Sequence, residues 1–365
     1  MRRCSKCILP ANVHGIKFNE NNVCNFCTDF EARFKNESFE ALSQRLKKIF
    51  DSMRGKGKYD CIVGLSGGKD STYVLYLLTR KYNLKVLAVN FDNGFRSAEA
   101  IRNLENAVTI LGVDYISVKP RWDLMHTLYR TFLLRAGEFC TPCNMGIDAT
   151  IERIAASEKV RLLVSGNSSR LSAGIPGMSP AMYYDRRYFL NVLQNKMTLE
   201  DVRNVISRPY MAKAFGRILG RGPEVINLPD YIEWNPKDII DTLQKKLGWQ
   251  NSPGVFEHGD CLVSSVKDYL MRKKWGWSEL TASYSAMIRN KQIGRAEALE
   301  KAVAAELDEE PAVMDYFLRV LNLTRKDIEE ALGKNHTDFG NFRSHTLFQM
   351  MKKIGTLISK ARRYR

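Results

Sequence analysis

Tyr59-Asp60-Cys61-Ile62-Val63-Gly64 runs directly into Leu65-Ser66-Gly67-Gly68-Lys69-Asp70-Ser71 and then into Thr72-Tyr73-Val74-Leu75-Tyr76-Leu77-Leu78. The short apolar run reads as a buried strand and the last segment as an amphipathic helix. A Ser/Gly-rich turn between the two aims several backbone N–H groups at one spot, at the positive end of a helix dipole. That arrangement binds anions. Lys69 adds a mobile positive charge for phosphate oxygens, and Asp70 offers a carboxylate for a magnesium ion. Gly67 and Gly68 let the backbone approach the anion where a Cβ would clash.

Working outward, further strands are expected at Lys85–Phe91, Tyr115–Val118, Arg161–Asn167 and Val225–Leu228, with a helix at Ser97–Leu111 carrying Ile101, Leu104, Val108 and Leu111 on one face. Strands alternating with helices imply a parallel sheet with both faces covered. Ligands of such sheets bind at the carboxyl ends of the strands. Asp92, Asn93, Gly166 and Asn167 fall at strand ends on the same edge as the loop. They are candidate adenosine contacts, and each is equally readable as a turn residue. Tyr183, Tyr184, Asp185, Arg186, Arg187 and Tyr188 form a polar-aromatic cluster suited to a lid over a substrate or to capping a core edge. From Asn235 onward the pattern is helical: Pro236–Leu247, Leu262–Lys274, Ser278–Asn290, Gly294–Glu306, Pro311–Asn322 and Arg325–Leu332, with Ser278 and Thr324 as N-caps. Three domains follow: a ribbon over 1–38, an α/β domain over 39–234 and a helical region over 235–365.

Cys4-Ser5-Lys6-Cys7 and Cys24-Asn25-Phe26-Cys27 stand sixteen residues apart. Two CxxC pairs at that spacing read as a structural Cys4 zinc site, in a segment too poor in apolar residues to fold unaided. Cys140-Thr141-Pro142-Cys143 precedes a helix expected at Ile147–Lys159, and Cys261 precedes another. Thiolates near helix N-termini have depressed pKa values and serve as nucleophiles or metal ligands. Cys140, Cys143 and Cys261 together would suffice for an iron–sulfur cluster with one open iron; alternatively Cys140 and Cys143 relay persulfide sulfur, or the pair is structural. Cys61, inside the first strand, reads as a small core residue.

The chain has 365 residues, a net charge of +16, 44% hydrophobic and 26% charged residues. Such a balance describes an ordinary globular protein whose basic surface attracts polyanions, RNA and phosphorylated substrates among them. The densest basic run is Lys360-Ala361-Arg362-Arg363-Tyr364-Arg365. No apolar run reaches the roughly 18 residues of a membrane span. The start, Met1-Arg2-Arg3-Cys4, lacks the apolar segment of a signal peptide, so a cytoplasmic location is expected.

Ser66-Gly67-Gly68-Lys69-Asp70-Ser71 departs from the GxxxxGK[ST] loop, since Val63 occupies its first glycine position and Asp70 follows the lysine. It resembles the pyrophosphate loop of the PP-loop ATP pyrophosphatases. The resemblance implies ATP cleaved between its α- and β-phosphates, a substrate oxygen capped with AMP, and Ser66 to Ser71 gripping the departing pyrophosphate, with Lys69 and Asp70 as catalytic residues. Arg3-Cys4-Ser5-Lys6-Cys7-Ile8-Leu9-Pro10, Leu228-Pro229-Asp230-Tyr231-Ile232-Glu233-Trp234, Lys267-Asp268-Tyr269-Leu270 and Tyr284-Ser285-Ala286-Met287-Ile288-Arg289 are similar to N-acetyl sugar amidotransferases of surface-polysaccharide (lipopolysaccharide) biosynthesis. That family implies a nucleotide-linked sugar as substrate and a separate glutaminase subunit as ammonia source. Cys140-Thr141-Pro142-Cys143 is similar instead to the cysteine pair of PP-loop tRNA thiolases, with Cys261 as the distant third ligand of an iron–sulfur cluster and tRNA as a partner. The transferred atom is therefore nitrogen or sulfur, and a homodimer is among the assemblies left open.

Overall fold

The computed structural model describes residues 2–34, 37–172, 186–194, 196–209, 212–213, 216, 222–251, 259–305 and 309–335. Five strands form one parallel sheet in the order β3-β2-β1-β4-β5: β1 (Cys61–Gly64), β2 (Val86–Phe91), β3 (Asp114–Val118), β4 (Leu162–Ser165) and β5 (Glu224–Asn227). Each lies within a residue or two of its expected place. β1 and, apart from Asn90, β2 are apolar because a parallel strand with covered faces has no wet side, and every residue of β2 is buried, Asn90 donating to the Leu65 carbonyl at 2.8 Å. Ile62 in the centre pairs with Leu87 on one side and Leu163 on the other. The order reverses between β1 and β4, and at such a point the loops leaving the two strands part and open a crevice.

The helices of the first part are α1 (Asn25–Phe34), α2 (Phe39–Met53), α3 (Lys69–Tyr76), α4 (Ala98–Leu111), α5 (Trp122–Ala136) and α6 (Thr141–Ser157). Ser97 caps α4, its hydroxyl accepting from the Ala100 N–H at 3.1 Å. The buried face of α4 centres on Ala100, Asn103, Leu104, Ala107 and Leu111, while Ile101 and Val108 are only half-buried. α6 begins at Thr141, six residues before the expected start, so Cys143 sits inside its first turn. Pro142 does not break the helix because first-turn residues have no intrahelical N–H bond to lose. The expected helices after residue 235 are present at Pro236–Leu247, Ser264–Trp275, Glu279–Arg289, Arg295–Ala305, Met314–Leu321 and Arg325–Leu332. Ser278 and Thr324 cap two of them, Thr324 through a reciprocal capping box with Asp327.

The chain forms two units. The first comprises Met1–Lys119, Arg153–Met178 and Pro223–Phe317, and holds the sheet, the N-terminal cysteines and the helices from Pro236 to Phe317. Its core runs from Leu46 and Phe50 of α2 through Cys61, Val63, Val74 and Ala88 to Leu104, Trp234, Leu243 and Trp249. Cys61 is fully buried, as a small core residue should be. The second unit comprises Pro120–Glu152, Ser179–Gly222 and Leu318–Arg365. In it Phe132 of α5 packs on Tyr188 and Phe189 of the helix Arg186–Leu193. Tyr188 is thus a core residue. Tyr183, Tyr184 and Asp185 of the expected lid, and the basic run 360–365, lie outside the described residues.

The β1–α3 loop packs closely on α4. Gly67 has φ +89°, and a Cβ there would stand 2.0 Å from the Ala100 carbonyl oxygen. Gly67→Ala should therefore destabilise the protein by about 1–3 kcal/mol through overpacking and left-handed strain. A chemical denaturation series checks this; an unchanged midpoint would show that the loop yields freely.

Candidate active site

The loop Ser66–Ser71 leaves β1 at the switch point and becomes α3 at Lys69, so the first N–H groups of α3 have no intrahelical acceptor. Ser71 Oγ braces the loop: it lies 3.1 Å from Ser66 Oγ, accepts from the Ser66 N–H at 3.2 Å and donates to the Gly68 carbonyl at 3.2 Å. The Gly67 carbonyl is turned inward, accepting from Trp249 Nε1 at 3.0 Å and Asn103 Nδ2 at 3.3 Å. Asn103 also clasps the Gln250 backbone, donating to its carbonyl at 2.7 Å and accepting from its N–H at 2.8 Å.

Lys69 Nζ lies 2.9 Å from Asp70 Oδ2, and Trp234 Nε1 donates to Asp70 Oδ1 at 3.0 Å. Both Asp70 oxygens thus face a donor. On the neighbouring strand end, Asp92 accepts from the Gly94 N–H at 3.0 Å and from Arg96 Nη2 at 3.3 Å. Gly166, at the end of β4, packs on Asp70 so closely that a Cβ would come within 3.0 Å of its backbone. Asn167 is exposed just beyond, its N–H on Ser165 Oγ at 3.3 Å. The structure thus brings Ser66 to Ser71, Gly166 and Asn167 together at one end of the sheet, with Asp92 and Asn93 on the next strand.

Residues 259–262 reach the same edge from far along the chain. Ser97 Oγ donates to the Gly259 carbonyl at 2.7 Å, the Ser97 N–H to the Asp260 carbonyl at 3.3 Å, and the Leu262 N–H to the Phe95 carbonyl at 2.8 Å. Cys261 bridges Arg96 in backbone pairing, and Asn93 Nδ2 donates to its sulfur at 4.0 Å. Its thiol is not activated: burial, then the neighbouring Asp260 carboxylate, pushes it up to about 11. The expectation of a depressed pKa for Cys261 fails because desolvation outweighs proximity to a helix start. Cys140 and Cys143 belong to the second unit and are half-buried. Glu138 anchors their turn, accepting from the Thr141 N–H at 3.1 Å and the Tyr188 hydroxyl at 3.0 Å, and burial raises its pKa.

Cys4, Cys7, Cys24 and Cys27 are completely buried, with their sulfurs within 4.8 Å of one another. The pairs Cys4–Cys27 and Cys7–Cys24 stand 4.0 and 3.7 Å apart. Four thiolates around a tetrahedral zinc at Zn–S near 2.3 Å would be about 3.8 Å apart, so the donor set fits that ion. Hydrogen bonds from the Cys24 and then the Cys27 thiols hold Cys7 down to about 7 and Cys4 lower still. Arg295 fixes the knuckle to the later helices, donating to the Cys7 and Cys4 carbonyls at 3.0 and 3.1 Å.

Trp234, Trp249, Asn103 and Asp260 adjoin the loop, and the sequence does not mark any of them as a site residue. An indole in an apolar stretch reads as core, and only the fold reveals that these two spend their N–H groups on the loop.

A family model described as "Queuosine biosynthesis protein QueC" matches residues 60–141, and one described as "LPS biosynthesis protein WbpG-like, C-terminal domain" matches residues 227–355. An uncharacterized protein of Methanocaldococcus jannaschii is 27% identical over 167 residues, which make up 45% of this chain and 58% of the relative. A glutamine-hydrolyzing GMP synthase of Dictyostelium discoideum is 26% identical over 196 residues, 52% of this chain and 26% of the relative. The chain therefore spans less than two thirds of either relative's length. Among solved structures, NMN synthetase from Francisella tularensis is 13% identical, with a TM-score of 0.41, covering 76% of this chain and 100% of that one. The QueC match spans β1, the Ser66–Ser71 loop and α3, and the WbpG-like match contains both indoles that bind the loop. These matches indicate the PP-loop ATP pyrophosphatase superfamily.

Proposed function

We propose that this protein is an amidotransferase that activates a substrate oxygen with ATP. The loop at the β1–β4 switch point carries the reading. It offers the start of α3, Lys69 and two glycines to a pyrophosphate, and part of its bracing comes from the WbpG-like region. The carbonyl oxygen of the acceptor attacks the α-phosphorus, the bond to the β-phosphate oxygen breaks, and pyrophosphate leaves against Lys69 and the loop. Magnesium, when bound, neutralises the phosphate charge. Ammonia then attacks the activated carbon, the carbon–oxygen bond to AMP breaks, and a proton is released. An amide acceptor, such as the N-acetyl group of a nucleotide-linked sugar, would emerge as an amidine. A separate glutaminase would supply the ammonia. Asp92, Asn93, Gly166 and Asn167 are proposed as the adenosine side of the pocket.

A second reading keeps the adenylation step and replaces ammonia with sulfide or persulfide. It is favoured by one observation, the placing of Cys261 beside Asn93 on the edge of the sheet that carries the loop. Because the Cys261 thiol is pushed up to about 11, it would need a metal such as an iron–sulfur cluster to ionise. tRNA or a small molecule would be the acceptor.

Three outcomes follow from these readings. Wild-type enzyme should release AMP and pyrophosphate from ATP, and Lys69→Ala should slow this by roughly 10²-fold or more; chromatography showing ADP and orthophosphate would refute the assignment. Zinc should be found at one ion per chain, and Cys24→Ser should lose it together with a cooperative melt. Metal analysis and calorimetry that find the variant metal-free yet equally stable would contradict a structural role. Nitrogen transfer predicts that Cys140→Ala, Cys143→Ala and Cys261→Ala retain activity with ammonium as donor. Loss of activity together with loss of protein-bound iron and sulfide in anaerobic preparations would establish the sulfur reading instead.

A further inference from the structure

The stretch Tyr284-Ser285-Ala286-Met287-Ile288-Arg289 lies in the helix Glu279–Arg289, whose two faces differ. Leu280, Tyr284, Met287 and Ile288 make the apolar face, packed with Ile8, Ala298 and Ala302. Thr281, Ser285 and Arg289 recur at every fourth position on the other, so they are neighbours one turn apart. All three are buried, Ser285 completely and Arg289 to 7% exposure. A helix face built for packing alone carries apolar residues there. Ser285 Oγ has no hydrogen-bond partner among the described residues, and neither has the buried Gln292 Oε1 just beyond the helix. Buried polar atoms are almost always satisfied, so two orphaned oxygens flanking a buried guanidinium mark a place that a ligand's atoms would complete.

That place adjoins the crevice. Gln292 Nε2 donates to the Trp234 carbonyl, and the Trp234 indole in turn holds Asp70 of the phosphate loop. The same helix packs on Ser169–Ser172, the short helix that follows Gly166 and Asn167 at the end of β4. We infer that Ser285, Arg289 and Gln292 bind the acceptor substrate through an oxyanion, a carboxylate or a phosphate, and a neighbouring hydroxyl. Arg289 supplies a permanent charge and N–H donors for the oxyanion. The Ser285 hydroxyl donates a further hydrogen bond, and Gln292 Oε1 accepts from the ligand's hydroxyl. The inference rests on the adenylation reading of the phosphate loop and deepens it by naming the acceptor's class: a small, acidic, hydroxylated molecule.

The test uses the full chain, with glucuronate and glucose 1-phosphate as the carboxylate and phosphate probes and glucose as the neutral control. Ligand-observed nuclear magnetic resonance measures their binding, and calorimetry that of α,β-methylene-ATP, a nucleotide that cannot be cleaved at the α–β bridge. At least one acid should bind about tenfold more tightly than glucose, and the tighter acid identifies the anion. Arg289→Gln should weaken that binding by about tenfold or more, and Arg289→Lys by less. Ser285→Ala should weaken it severalfold while melting at the same temperature or higher, because it removes an unsatisfied buried hydroxyl. Nucleotide affinity should be the same in all these variants. Where Arg289→Gln does not fold, Ser285→Ala decides alone. Wild-type protein that binds neither acid more tightly than glucose overturns the inference. So does a Ser285→Ala variant that melts lower with its acid binding intact, which marks a structural role. Wild-type protein that binds no nucleotide is a separate result, refuting the reading of the phosphate loop.

Discussion

The Cα of Gly67 rests on the backbone of Ala100 with no space for a methyl group, and its left-handed φ turns its carbonyl toward Trp249 and Asn103. That close approach decides how the rest of the site is arranged. With the carbonyl satisfied inside, Ser66, Gly68 and the start of α3 stay half-buried. With α4 fixed against the loop, Ser97 at its start becomes the anchor for residues 259–262. One steric constraint thereby links a strand end, two helices and a distant segment.

The later part of the chain is a structural component of the loop. Trp234 reaches Asp70, Trp249 reaches Gly67, and Asp260 lies against Gly68. Buried indole N–H groups seek acceptors, and here the acceptors are loop atoms. Arg295 extends the same economy to the N-terminal knuckle by holding the carbonyls of Cys4 and Cys7, so four buried sulfurs are pinned to a helix nearly 290 residues away in sequence. Among the described residues no helix is long and apolar enough to cross a membrane.

Much of this was legible in the residues. β1 is an uninterrupted apolar run and β2 one broken by Asn90, and the side-chain caps Ser278 and Thr324 mark helix starts by local chemistry. The gathering of Cys4, Cys7, Cys24 and Cys27 was legible because two CxxC pairs are a local sequence pattern. The strand order was not, since parallel pairing is a long-range choice that no local signal records. Helix α6 was placed too late because Pro142 resembles a breaker unless the first turn is already known. Asp260 was invisible as a site residue because nothing near it in sequence is phosphate-binding. Cys261 shows the converse error: its place before a helix suggested an acidic thiol, and burial beside Asp260 reverses the sign.

The central claim is that residues 66–71 grip a pyrophosphate. Competition between inorganic pyrophosphate and α,β-methylene-ATP for the wild-type chain, measured at equilibrium with magnesium present, tests it directly. Pyrophosphate should displace the nucleotide, orthophosphate at the same concentration should not, and Lys69→Ala should abolish the displacement. Nucleotide that is displaced by AMP yet indifferent to pyrophosphate would place the phosphates elsewhere and contradict the account.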